Sequence, residues 1–90
     1  MDLKEIRGHL DRIDTALVNI LAERMSFIPK VAEYKKANNM ERFQPEREKE
    51  IIAKKRELAE KSGLNPDLVE DIFKRIIEDA HRIEKEIIGK

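Results

Sequence analysis

Cysteine and tryptophan are absent from the 90-residue chain, and glycine and proline occur only three times each. Without cysteine the chain can form neither a disulfide nor a thiolate zinc site, which excludes the disulfide-rich secreted class and favours a cytoplasmic location. No apolar run approaches the ~20 residues that a membrane-spanning helix needs. The charged N-terminal segment also differs from a signal peptide. We therefore expect a cytoplasmic chain with no membrane partner.

An excess of charge of one sign is also missing, since 19 basic residues balance 19 acidic ones. A net charge of zero gives no general attraction to nucleic acid, which is therefore not an expected partner. Hydrophobic residues make up 40% of the chain, charged residues 42% and aromatic residues 4%, a composition typical of helical proteins. The length fits one domain spanning residues 1–90. His9 and His81 have no partners at metal-ligand spacing, so we expect no metal and interpret both as surface or packing residues.

Hydrophobic spacing and capping residues predict an all-α fold with three helices, at about residues 3–36, 45–62 and 66–88. Pro29 lies inside the first helix. Because proline removes a backbone donor, we expect a kink there rather than two separate helices. Gly63 is a typical stop for the second helix, and Asn65 is a favoured cap for the third.

An apolar stripe with one charged interruption runs along the first helix. Its members, spaced alternately three and four residues apart, are Leu3, Ile6, Leu10, Ile13, Leu17, Ile20, Arg24, Phe27, Val31 and Tyr34. A buried guanidinium needs either water or an anion. Lys35 follows Arg24 by about three helical turns and shares its face. The sequence therefore predicts two cations that face one space.

The length of the first helix predicts a dimer. A helix of about 34 residues is ~50 Å long, which exceeds the diameter of a compact monomer of this size. We expect a homodimer in which the long helices pack side by side and bury the apolar stripe. Arg7 lies ~25 Å from Arg24 along one helix. In an antiparallel pair centred near residues 18–20, however, Arg7 of the partner chain approaches Arg24 and Lys35.

The other two helices add charged residues beside apolar ones. Arg47 and Glu48 lie in the first turn of the second helix. The expected buried side of the third helix consists of Val69, Ile72, Phe73, Ile76, Ile77, Ala80, Ile83 and Ile87. Glu84 borders this apolar side, where a carboxyl group loses part of its hydration.

The charged residues and their surroundings resemble one known family. The matching segments are Ile6-Arg7, Ile13-Asp14, Leu21-Ala22-Glu23-Arg24, Val31-Ala32, Tyr34-Lys35, Arg42-Phe43-Gln44-Pro45-Glu46-Arg47-Glu48 and Ile76-Ile77-Glu78-Asp79. In order and spacing they are similar to the all-helical chorismate mutases over nearly the whole chain. The resemblance implies an intertwined helical homodimer with two active sites. It also implies that the protein converts chorismate to prephenate, a step toward phenylalanine and tyrosine, without a cofactor.

The resemblance further implies a role for individual residues. Arg24 and the partner chain's Arg7 would bind the two carboxylates of the substrate, and Arg47 would support this polar network. Lys35 would contact a carboxylate and the ether oxygen. Glu48 would accept a hydrogen bond from the ring hydroxyl.

Three positions depart from the common pattern of that family. Gln44 stands where an acidic residue is often found, Ala80 where a serine can contribute, and Glu84 where glutamine is common in bacterial members and glutamate occurs in some. Negative charge grows on the ether oxygen during the rearrangement, so a donor there stabilises the transition state more than the substrate. We therefore expect Glu84 to act in its protonated form together with Lys35.

Two alternatives stay open at this point. Isochorismate-pyruvate lyases and aminodeoxychorismate mutases use nearly the same cationic residues on the same scaffold. A chain of this kind can also serve as a non-catalytic helical dimerisation or regulatory module. The joint presence of Arg7, Arg24, Lys35, Arg47 and Glu48 argues against this second alternative.

Overall fold

The structure, a computed structural model, describes all 90 residues and contains helices but no strands. The helical segments are α1 (Leu3–Ser26), α2 (Ile28–Ala37), α3 (Pro45–Lys61) and α4 (Pro66–Ile88). Segments α1 and α2 together form the predicted long first helix, while α3 and α4 are the predicted second and third. The prediction of an all-α fold with three helices is confirmed.

The interruption between α1 and α2 is a single residue, Phe27. Its backbone keeps right-handed helical angles, with φ −85° and ψ −14°. Its N–H donates to the Arg24 carbonyl at 3.2 Å, and its own carbonyl accepts from Val31 at 3.1 Å. The helical hydrogen bonds thus continue on both sides. Pro29 lies in the first turn of α2 and has no N–H to donate to the last turn of α1. The break at Phe27 falls immediately before the first turn of α2.

The ends of α3 and α4 follow from their capping residues. Gly63 adopts a φ of +74°, which glycine reaches without strain. Next to it, the Leu64 N–H donates to the Ala59 carbonyl at 2.8 Å. The Asn65 side chain accepts from the Asp67 N–H at 2.9 Å and caps α4. A sharp reversal therefore lays α4 back along α3.

Helix α4 packs against both α2 and α3 and is the centre of the small folded body. Only four residues are buried, of which three are the alanines Ala32, Ala59 and Ala80, placed on α2, α3 and α4. Small side chains allow close approach of the helices but bury little apolar area. Ile72 differs from the expectation, because its side chain is 48% exposed. It lines an open groove with Leu21 and Met25 instead of packing in a core.

Helix α1 extends away from this body and buries none of its residues. The chain measures 55 × 23 × 14 Å, and its radius of gyration is 16.4 Å. A compact domain of this length has a radius of gyration of about 12 Å. The apolar stripe of α1 is open to solvent in the single chain. None of the helices combines the length and the apolar character needed to cross a membrane.

Candidate active site

Residues from all four helical segments surround one cavity of about 190 Å³ at the junction of α1 and α2 with α3 and α4. Seven of the eight side chains singled out in the sequence line it: Arg24, Lys35, Gln44, Arg47, Glu48, Ala80 and Glu84. The apolar part of the wall comes from Ile28, Val31, Ile51 and Ile77. The fold therefore gathers charged residues separated by up to sixty positions in the chain around one small space.

Arg24 lies in this cavity without a negative partner. Its Nη1 is buried and makes no hydrogen bond. Its guanidinium carbon lies 6.0 Å from the centre of the Phe73 ring, at the limit of a cation–π contact. Burial lowers the pKa of Arg24, and the charge of nearby Arg47 lowers it further. Two adjacent cations with an unused donor form a site that favours an anion.

Lys35 and Glu84 form the most buried ion pair of the protein. Lys35 Nζ lies 2.8 Å from Glu84 Oε1, and the two side chains are only 12% and 6% exposed. The same ammonium donates to the Arg42 carbonyl at 2.8 Å. The segment between α2 and α3 thus orients Lys35, while α4 supplies its carboxylate. One of the three ammonium donors remains for another acceptor.

The first turn of α3 supplies the opposite wall of the cavity. Arg47 is largely exposed, and its Nη1 pairs with Glu50 Oε1 at 2.7 Å. Glu48 is half-buried and its Oε2 lies 2.9 Å from His81 Nε2. The Gln44 amide donates to the Glu41 carbonyl at 2.8 Å. Gln44 directly precedes α3 and makes no side-chain capping bond.

His81 is the site residue that the sequence reasoning missed. Interpreted there as a surface or packing residue, it lines the cavity beside Ala80 and contacts Glu48. Its ring lies 4.3 Å from the Phe43 ring. A usable signal was present, since His81 lies three residues before Glu84 and so occupies the same face of α4.

Arg7 is the one predicted site residue that the single chain does not bring to the cavity. It lies in the N-terminal part of α1, on the exposed arm, and α1 lines the cavity only through Arg24 near its other end. Arg7 of the same chain is too far along the helix to reach this space.

The arrangement is suited to binding a small polyanion and to donating hydrogen bonds to it. The guanidinium groups of Arg24 and Arg47 match a carboxylate in geometry. The ammonium of Lys35 can donate a hydrogen bond to an oxygen that gains negative charge. No group of three or more histidine, cysteine, aspartate or glutamate side chains is placed so that it could hold a metal ion.

Comparisons with known proteins point to one family. Residues 6–85 match the family model described as chorismate mutase type II. The T-protein of Enterobacter agglomerans is 33% identical over 85 residues, covering 94% of this chain and 23% of its own length. The chorismate mutase of Methanocaldococcus jannaschii is 33% identical, covering 96% of this chain and 87% of its own. The isochorismate pyruvate lyase of Pseudomonas aeruginosa is 36% identical over 75 residues, covering 83% and 73% respectively. This chain thus spans about a quarter of the first relative and most of the second.

Proposed function

The chain belongs to the type II chorismate mutase family, and from that premise we propose that it rearranges chorismate to prephenate as an isomerase of aromatic amino acid biosynthesis. The observation that carries the proposal is the unpartnered, buried Nη1 of Arg24, which lies beside Arg47 in the cavity that holds Lys35 and Glu84. Chorismate is a dianion, and its two carboxylates supply the negative partner that Arg24 lacks.

In the proposed complex Arg24 binds one carboxylate through two parallel N–H donors. Arg7 of the partner chain binds the other carboxylate, and Arg47 adds positive charge to this polar network. Gln44, exposed to the cavity beside Arg47, adds a polar contact. The small side chain of Ala80 leaves room for the substrate ring. Held at both carboxylates, the substrate keeps its two reacting carbons close together, and this orientation supplies part of the acceleration.

The chemical step breaks the carbon–oxygen bond of the ether and forms a carbon–carbon bond within the same molecule. Bond breaking runs ahead of bond formation, so negative charge grows on the ether oxygen. In the complex we propose that Glu84 takes up a proton and gives up its ion pair with Lys35, so that both side chains donate hydrogen bonds to this oxygen, which stabilises the transition state more than the substrate. Glu48 accepts from the ring hydroxyl. Every role belongs to a side chain, so the proposal includes no cofactor and no metal.

A homodimer with shared active sites is part of the proposal. Its support is the exposed apolar stripe of α1, where Leu10 and Leu17 are 51% and 60% exposed. A second chain packed antiparallel along α1 covers this stripe and carries its own Arg7 toward the cavity. The absence of cysteine favours a cytoplasmic location, which we also propose.

The direct test is the loss of chorismate absorbance with purified protein in buffer containing EDTA, together with identification of prephenate as the product. We expect turnover without any added cofactor. An absolute requirement for a metal ion, or no turnover by a folded dimer, would refute the proposal.

Isochorismate is the second candidate substrate, because the Pseudomonas aeruginosa relative named as its lyase is of comparable identity to the mutase relatives. The two substrates differ in the placement of the ring hydroxyl, which the proposal assigns to Glu48. A competition assay with both substrates, following prephenate and pyruvate separately, distinguishes them. We expect prephenate to be the main product.

A further inference from the structure

Three consecutive loop residues between α2 and α3, at positions 41–43, make no backbone–backbone hydrogen bond. The bond before them joins the Met40 N–H to the Lys35 carbonyl, and the bond after them joins the Glu48 N–H to the Gln44 carbonyl. The Gln44 amide donates to the carbonyl at position 41. Without backbone partners, a loop keeps one conformation only where side chains hold it. Side-chain contacts therefore decide where this main chain lies.

Arg42 supplies two further contacts of this kind. Its Nε donates to the main-chain oxygen of Lys90 at 2.6 Å. Its guanidinium carbon lies 4.5 Å from the centre of the Phe43 ring, within the range of a cation–π contact. The Phe43 ring packs in turn on His81 of α4, with ring centroids 4.3 Å apart. The side chain of Arg42 thus ties the loop to α4 and to the residues that follow α4.

The main chain of Arg42 contacts the active site. Its carbonyl accepts a hydrogen bond from Lys35 Nζ at 2.8 Å, and this contact is partly buried. The other partner of the ammonium is Glu84 Oε1, also at 2.8 Å. In the proposed complex Glu84 gives up this pair, so the Arg42 carbonyl is the acceptor that keeps the ammonium in place. A bond to one fixed acceptor limits where the other two ammonium donors can point.

We propose that Arg42 is a positioning residue for Lys35: its side chain, held by Lys90 and Phe43, fixes the carbonyl that orients the ammonium toward the substrate. Arg42 does not line the active-site cavity and acts only through Lys35. Its side chain lines a neighbouring pocket of about 340 Å³ on the other side of the loop. The orientation of Lys35 belongs to the substrate-free protein, whereas its effect on the rate rests on the proposed function.

The contact with Lys90 depends on the backbone of the residue before it. Gly89 adopts a φ of +85°, in the left-handed region that glycine reaches without strain. Its N–H donates to the Lys85 carbonyl at 2.8 Å and ends α4. Alanine at this position favours a right-handed φ, which turns the Lys90 oxygen away from Arg42. Substitutions of Arg42 and Gly89 therefore act on one hydrogen bond from its two ends.

Nitrogen NMR of the lysine ammonium groups tests this orientation without any substrate. The Lys35 side chain is 12% exposed and has two acceptors. Four other lysines in ion pairs, Lys49, Lys54, Lys61 and Lys74, are 62–75% exposed. Ammonium protons exchange slowly with water where they are buried and hydrogen-bonded. We therefore expect a slowly exchanging Lys35 signal in the wild type, assigned by its loss in Lys35→Arg.

Arg42→Ala removes both side-chain contacts and leaves the carbonyl in the chain. We expect the Lys35 ammonium protons to exchange about tenfold faster in this variant, as for the loss of one hydrogen bond. Gly89→Ala should act in the same direction but more weakly, because the Phe43 contact remains. The double variant should exchange no faster than Arg42→Ala alone. Lys36→Ala is the matched control, since it removes one exposed positive charge from the same pocket.

The kinetic consequence is a lower rate with little change in affinity. Arg24 and the partner's Arg7 still bind the carboxylates, whereas the ammonium no longer meets the ether oxygen as its charge grows. We expect Arg42→Ala to lower kcat about tenfold and to change KM by less than about threefold. Arg42→Lys keeps a charged donor for the Lys90 oxygen and should recover part of the loss. The control Lys36→Ala should keep kcat within about twofold.

The outcomes distinguish this inference from the proposed function. Circular dichroism establishes that each variant is folded, and Gly89→Ala repeats the test if Arg42→Ala is not. Lys35 exchange at the wild-type rate in folded Arg42→Ala overturns the inference, and so does faster exchange with an unchanged kcat. If the wild type does not turn over chorismate, the proposed function fails, and the exchange comparison alone decides whether Arg42 holds Lys35.

Discussion

Replacing Arg24 by methionine should stabilise the substrate-free protein while removing its activity. Nη1 of Arg24 is buried without a partner, and Arg47 repels its charge. A buried, unsatisfied donor costs about 1–3 kcal/mol. Methionine is unbranched, adapts to irregular gaps and has no donor. The free energy of unfolding of Arg24→Met should therefore exceed that of the wild type by about 1–3 kcal/mol.

The same substitution removes two charge-assisted hydrogen bonds to a substrate carboxylate. At about 1.5–3 kcal/mol each, their loss lowers kcat/KM by roughly 10²–10⁴-fold. Arg24→Lys keeps the charge but not the forked geometry, so its activity should lie between the two. Stability and activity thus change in opposite directions, as expected for a residue placed to bind an anion.

The assay pairs urea unfolding with chorismate kinetics at one fixed protein concentration, because dimer dissociation makes stability depend on concentration. Arg12→Met is the matched control, since Arg12 is an exposed arginine on the same helix. We expect the control to change stability by less than about 0.5 kcal/mol. Destabilisation of Arg24→Met with a neutral control would refute the reasoning, because Arg24 would then have a stabilising partner in the free protein.

Three further predictions concern assembly and pH. Mixing inactive Arg7→Ala with inactive Arg24→Ala under exchange conditions should restore about a quarter of the wild-type activity. About half of the dimers are then heterodimers, and one of the two sites in each heterodimer keeps both arginines. A mixture that stays inactive despite proven heterodimers excludes action of Arg7 across the interface. Glu84→Gln should keep its activity to higher pH than the wild type does, since only a protonated carboxyl group donates, whereas the amide nitrogen donates at every pH and the amide oxygen accepts from the lysine. Wild-type and variant pH profiles of the same shape would remove Glu84 from the mechanism. The hydrogen bond from Arg82 lowers the pKa of Asp79, so its stabilising contribution is present above the unfolded-state pKa and is lost as pH falls through the lower folded-state pKa. The free energy of unfolding of Asp79→Asn, measured in urea, should accordingly be lower than that of the wild type at neutral pH and should equal it in acid. A difference that persists in acid would contradict this account.

The helices could be predicted from the sequence because their signals are local. Gly63 with its positive φ and Asn65 with its capping bond act within a few residues of the chain. Pro29 likewise predicts a kink from one missing donor. The position of the break, at Phe27, depends on how the turn before the proline adjusts, and the sequence alone did not place it.

Most of the candidate site was also predictable, because misplaced charges within apolar stripes are visible as a pattern. Arg24 interrupts the stripe of α1, and Glu84 borders that of α4. Their partners were not predictable in the same way. The pairing of Glu84 with Lys35 joins positions 49 residues apart, and the contact of His81 with Glu48 joins positions 33 apart.

The sequence by itself determined the helical periodicity, the helix ends and the identity of the charged residues, because these follow from interactions between near neighbours. Only the tertiary structure decided that α4 packs between α2 and α3 through small alanines. That packing places Arg24, Lys35, Glu84 and His81 around one cavity. It also left Arg24 without an anion and His81 with an unpartnered nitrogen. The physical reason is that burial depends on contacts between distant parts of the chain, and an unpaired donor has a cost only where water is excluded.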